Sequence, residues 1–216
     1  MELVGAATER TTAGTDALLA CAALAAVVVL RRRTPPSFGR AVWAGALAAL
    51  ALASVLGAIT HGLALTTPTR ERLWQPLYLA LGVMMALFVV GAVRDWRGDA
   101  AGRRVLPPML ALAGVFYVIT RLTGGDFLAF VVYEAAALVF SLLVYLHLAV
   151  ARGRRGAAAM AAALILSLAA GGIQASDLDP VRVVWEFDHN GVFHLVQLLG
   201  LTLLVGGLRR LLASPV

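Results

Sequence analysis

Seven long apolar runs, at about residues 16–30, 41–64, 74–93, 106–122, 127–149, 157–175 and 191–208, leave this chain of 216 residues few folds to choose from. A helix needs roughly 20 residues to cross a bilayer core of about 30 Å. Seven such spans and their loops use nearly the whole chain and leave no room for a soluble domain. Hydrophobic residues make up 61% and charged residues 14%, against about 45–50% and 25% in soluble domains, and the mean hydropathy is +0.86. Too few polar residues remain to cover a water-facing surface. Lipid cannot satisfy free backbone groups, so the runs are predicted to be helices. The expected fold is an all-α, integral membrane seven-helix bundle, one domain over residues 1–216. Function must then sit among the helices or in the short loops.

Charge sets an orientation. All 18 basic residues are arginine, and positive residues collect on the cytoplasmic side of membrane helices. With the N-terminus outside, Arg31, Arg32, Arg33, Arg40, Arg94, Arg97, Arg103, Arg104, Arg152, Arg154, Arg155, Arg209 and Arg210 face the cytoplasm, 13 in all. The outer segments hold the other 5: Arg10, Arg70, Arg72, Arg121 and Arg182. Every inner segment is richer than its outer neighbours, and the alternation would break if one run were not a span. Nine of the twelve acidic residues, Asp16 among them, fall outside, Asp95 and Asp99 fall inside, and Glu134 lies within a span. The C-terminus is then cytoplasmic. The first run is followed, not preceded, by positive charge, which fits an uncleaved helix and not a signal peptide. Alanine, glycine and arginine richness points to a GC-rich bacterial genome and a multi-pass protein of the cell membrane, the bacterial inner membrane. The positive-inside pattern accounts for the net charge of +6, so nucleic acid is not an expected partner.

Smaller features fit the same frame. The single cysteine, Cys21, can form no internal disulfide. Pro35-Pro36, Pro68, Pro107-Pro108 and Pro180 fall in or near the gaps and Pro76 in the first turn of the third run, where a missing N–H costs least. Trp43, Trp74, Trp96 and Trp185 are predicted at the membrane interfaces. Gly206-Gly207 suits close helix packing. An ion pair between Arg121 and Asp126 is expected across a short Gly-Gly turn, and His147 is expected to snorkel at the cytoplasmic end of the fifth helix. No phosphate loop, Rossmann glycine pattern, Ser-His-Asp signature, CxxC or haem motif occurs.

Ionisable residues inside a span are costly and mark candidate sites. His61 lies near the outer end of the second run, two helical turns after Ser54 on the same face. His194 lies in the first turns of the seventh run, and His189 just before it. All three reach one depth on the outer side. Imidazole is the commonest metal ligand, and catalytic zinc takes three protein ligands with one position left for water. Two histidines five residues apart are about 500° apart in rotation on a regular helix, so His189 joins only from a non-helical entry, with Asn190 as the N-cap. Asp188 or Glu186 is a candidate ligand or orienting acceptor. Glu134, roughly 12 Å into the fifth helix, is a candidate general base or fourth ligand, or else a partner of Tyr117, Arg121 or another interior group.

Seven spans, an outer N-terminus, Ser54 and His61 in the second helix and His189 and His194 opening the seventh together resemble the CREST superfamily, which includes the alkaline ceramidases and the progestin and adiponectin receptors. The resemblance covers the whole chain as topology and two short stretches as motif. It implies a zinc ion held by His61, His189 and His194, with Ser54 completing the site, and for the ceramidases an amide hydrolysis. The family serine is usually one turn before the histidine, where here it is two, and the family pair is HxxxH, where here it is HxxxxH. No aspartate opens the third helix, so Asp188, Glu186 or Glu134 would have to supply the carboxylate. The function expected on these grounds is a membrane-embedded, zinc-dependent hydrolase of a lipid amide or ester, with a membrane lipid as substrate. The alternatives are a non-enzymatic receptor or sensor whose second and seventh helices are stapled by the metal, and a small transporter using Glu134.

Overall fold

The computed structural model describes residues 2–125, 127–176 and 178–213, with Phe127 as backbone only. The expected Arg121–Asp126 pair, and Asp177 of the acidic loop, involve residues outside that set. Among the described residues are seven helices long and apolar enough to cross a membrane. They are α1 Ala7–Arg33, α2 Phe38–Gly62, α3 Thr67–Arg97, α4 Asp99–Leu122, α5 Phe127–Val150, α6 Ala157–Gln174 and α7 His189–Leu212. A two-residue antiparallel pair, β1 Val181–Arg182 with β2 Glu186–Phe187, lies in the loop before α7. The seven predicted spans are all present, and the protein is a multi-pass helical bundle.

Several helices run past the apolar stretches that marked them. α1 starts nine residues before Asp16, and α3 and α4 each start seven residues before the predicted edge of their run. Hydropathy marks what faces lipid, whereas backbone hydrogen bonding continues a helix into polar surroundings. Pro76, Pro107 and Pro108 therefore lie inside helices and not in first turns. The carbonyls they leave unpaired, four residues earlier, belong to Arg72, Arg103 and Arg104, which are exposed where water can satisfy them.

Helix neighbours are not simply sequential. α1 packs on α2, α2 on α3, α3 on α5, α5 on α6, α6 on α7, and α7 returns to α1. These six close a ring. α4 packs along the outside of α3 and barely touches α5.

The arginine-rich end of the ring is solidly packed. Trp43, Tyr145, Leu148, Met160, Leu164, Leu208 and Leu211 are fully buried there. Trp43 is thus a core residue and not the interfacial tryptophan predicted. Its indole N–H donates to Asp95 Oδ2 at 3.3 Å, Tyr145 donates to the same oxygen at 2.7 Å, and Arg94 Nη1 donates to Asp95 Oδ1 at 2.9 Å. Arg94 Nε reaches Asp99 at 2.7 Å. Asp95, placed with the inner polar residues by sequence, is wholly buried.

The close fit of α2 on α3 depends on Gly91. A Cβ there would lie 2.5 Å from Trp43 Cζ2, and Trp43 is itself wedged edge-on against Phe88 at 5.1 Å. Gly91→Ala should lower stability by about 1–3 kcal/mol, the usual range for overpacking. Unfolding in detergent reads this directly, and an unchanged midpoint would contradict the packing argument.

Candidate functional site

The opposite end of the ring is hollow. A cavity of about 420 Å³ runs down its middle, and every helix but α4 contributes to its wall. That volume is in the range of small-molecule sites, about 300–1,000 Å³. Its lower part is apolar, with Leu47, Met84, Phe88, Leu138 and Leu204 on the wall. Its mouth carries His61, Asp16, His189 and His194.

The mouth is organised by α1, in the polar turns that hydropathy left outside the span. Thr8, Thr11, Thr12 and Thr15 are spaced three and four apart, which puts them on one helical face. Thr12, Thr15 and Asp16 are each no more than 5% exposed. Thr11 donates to the Glu186 carbonyl at 2.6 Å, and Thr12 donates to Asp188 Oδ1 at 2.9 Å. Thr15 Oγ1 lies 3.0 Å from His194 Nδ1, and Asp16 Oδ1 lies 3.3 Å from His194 Nε2. Glu9 Oε2 lies 2.7 Å from His61 Nδ1. One face of α1 thus touches both histidine-bearing helices and the loop between α6 and α7.

The entry to α7 differs from the one predicted. The N-cap is Asp188, not Asn190: its carboxylate accepts the Gly191 N–H at 2.8 Å. An aspartate accepts this bond well and places its charge at the positive end of the helix. His189 is then the first helical residue, half-buried on the cavity wall. Asn190 Oδ1 instead accepts from Gln174 Nε2 at 3.4 Å.

His61, His189, His194, Ser54 and Glu134 all line the one cavity. Asp188 does not; its carboxylate is held by Thr12 and the cap. Glu186 is exposed in β2. Tyr117 and Arg121, offered as partners of Glu134, are on α4, outside the ring. Among the described residues no three His, Cys, Asp or Glu side chains converge on a point where they could hold a metal ion. His61 is turned to Glu9, and His194 to Thr15 and Asp16.

Imidazole and carboxylate are donor types that zinc takes, but only one pair of them is close together here. Two ligands about 2.0–2.2 Å from a tetrahedral ion stand roughly 3.3–3.6 Å apart, and His194 Nε2 and Asp16 Oδ1 have that spacing. The same distance is long for a charge-assisted hydrogen bond, which runs about 2.7–2.9 Å. His61 and His189 lie on the same wall, but neither converges with that pair.

Sequence reasoning missed Asp16, Glu9 and Thr15. The available signal was the threonine spacing, which carries helical periodicity back to Thr8, eight residues beyond the apolar run. No curated protein and no solved structure gives a significant match. Residues 11–213 match one family model, a match that takes in Thr11, Thr12, Thr15, Asp16 and the helices of the ring: the chain belongs to DUF6962, a family of unknown function.

Proposed function

We propose that the protein is a membrane-embedded, zinc-dependent hydrolase of a lipid amide or ester, lying with its N-terminus and its histidine-bearing mouth on the outer side. The observation that carries this reading is the meeting of Asp16, Thr15 and His194 at the mouth of an otherwise apolar cavity, with His61, His189 and Ser54 on the same wall. The resemblance to the CREST superfamily in helix count and in Ser54, His61, His189 and His194 supports it.

His61, His194 and Asp16, with His189 as the further donor, would hold the metal. When bound, zinc lowers the pKa of its water to about 7 and polarises a carbonyl. The remaining work belongs to the chain. Thr15 holds the His194 ring through Nδ1, and Glu9 holds His61 through Nδ1, the outer partners that orient histidine ligands. The wall of Leu47, Met84, Leu138 and Leu204 takes the hydrocarbon chain and excludes water from it. A lipid whose polar group stays at the mouth presents its carbonyl at the level of His194.

Metal content of the purified protein tests this. Wild type is expected to carry one zinc per chain, and a His61→Ala, His194→Ala double variant none. Equal zinc in both would sink the metal reading and the hydrolase with it. With zinc confirmed, release of free fatty acid from lipid amides and esters separates an enzyme from a metal-stapled receptor.

A further inference from the structure

The cavity has a second polar layer that the metal reading does not use. Ser54 of α2, Glu134 of α5, Ser167 of α6 and Gln197 of α7 all lie on its wall. Each stands seven or eight residues from the end of its helix on the histidine side: Gly62, Phe127, Gln174 and His189 respectively. At about 1.5 Å per residue they share one depth, roughly 10–12 Å. Gly57, against which Asp16 packs, and His194 are each three residues nearer that end. The second layer therefore lies about one helical turn, roughly 5 Å, below the first.

These groups are not satisfied by the bundle itself. Glu134 is 6% exposed and Ser54 4%, yet neither makes a hydrogen bond to a described residue. Their oxygens are not among the buried atoms sealed off without a partner, so what access they have is to the cavity. Ser141, on the same helix as Glu134, shows what a helical serine ordinarily does: it donates to the Ala137 carbonyl at 2.8 Å. Ser54 makes no such bond. Ser167 donates to Gln197 Oε1 at 3.0 Å, which leaves the Gln197 amide N–H groups without a described partner.

A buried carboxyl with nothing to donate to it is costly, and a plain hydrocarbon chain in the cavity would seal it in that state. We infer that this layer is a binding subsite for a hydrogen-bond donor, a hydroxyl or N–H, carried on the lipid chain about 5 Å from the carbonyl that lies at His194. Glu134 and Ser54 accept from that group, and where it is a hydroxyl the Gln197 amide donates to its oxygen. The inference deepens the proposed function, since it rests on the cavity taking a lipid chain, but it does not need hydrolysis.

The test compares two neutral probes on the purified protein: a long-chain methyl ketone, which no hydrolase can cleave, and the same ketone bearing one hydroxyl about 5 Å along the chain, one helical turn. Wild type should bind the hydroxy ketone about 2- to 10-fold more tightly, the range of an ordinary hydrogen bond. Glu134→Leu should erase the preference while binding the plain ketone at least as well, which also shows that the variant is folded. Glu134→Gln, whose amide oxygen still accepts, should keep part of it. Equal affinities in wild type, no binding of either ketone, or a preference that survives in Glu134→Leu overturns the inference. Zinc content and turnover do not enter the readout, so a failure of the hydrolase reading shows separately.

Discussion

Replacing Asp95 with alanine is expected to cost about 3–5 kcal/mol of stability, the loss seen when one partner of a buried charge pair is removed. Asp95 is wholly buried, and it accepts from three donors on three helices: Trp43 on α2, Arg94 on α3 and Tyr145 on α5. Alanine strands the indole and phenol donors in a dry core. It also leaves Arg94, 7% exposed, with Asp99 as its one acidic partner among the described residues. Asp95→Asn keeps an oxygen for Tyr145 but not the charge, so its loss should be smaller. Tyr145→Phe removes a single donor and should cost least. Unfolding midpoints of the three variants, measured in one detergent, check the order. A loss below about 1 kcal/mol for Asp95→Ala, no more than an ordinary single hydrogen bond, would mean that water reaches this cluster.

On the proposed zinc reading, Asp16→Ala is expected to weaken zinc binding by more than about 10–100-fold, the effect of losing only a partner of a metal-bound histidine, because Asp16 is itself a ligand. The reason is geometric. Asp16 Oδ1 stands 3.3 Å from His194 Nε2, and its other carboxylate oxygen fits against α2 only because residue 57 is glycine. A Cβ at Gly57 would lie 2.5 Å from Asp16 Oδ2. Gly57→Ala should therefore reproduce much of the Asp16→Ala loss with every donor still present. Titration of the stripped protein with zinc, alongside circular dichroism for helix content, is the measurement. If Asp16→Ala binds zinc as tightly as wild type, His194 does not depend on α1 and the site must be built from His61, His189 and His194 alone.

How much of this was legible beforehand follows from the kind of information each feature carries. Ser54, His61, His189, His194 and Glu134 could be picked out because an ionisable or polar group beside lipid is costly wherever the helices lie. Asp16 could not be picked out on that basis. It sits at the edge of an apolar run, where a carboxylate ordinarily meets water, and only the packing of α1 between α2 and α7 buries it. Trp43 was misread for the reverse reason. Its position near a helix start is that of an interfacial aromatic, but Asp95, 52 residues away, draws its N–H inward. Asp188 is by sequence a candidate ligand, orienting acceptor or catalytic carboxylate; in the structure Thr12 and the Gly191 N–H claim it.

The sequence by itself determined the solvent and hence the class of fold. Seven apolar runs need seven helices, because hydrocarbon accepts no unpaired backbone. What it could not determine is which helices touch, since apolar faces are nearly interchangeable against lipid. The tertiary structure alone decided that α4 stands outside the ring, that the ring is packed at its arginine-rich end and hollow at the other, and that one face of α1 gathers Glu9, Thr15 and Asp16 onto the histidines. Those are long-range contacts between helices, set by shape and by a few polar pairs, and no local pattern encodes them.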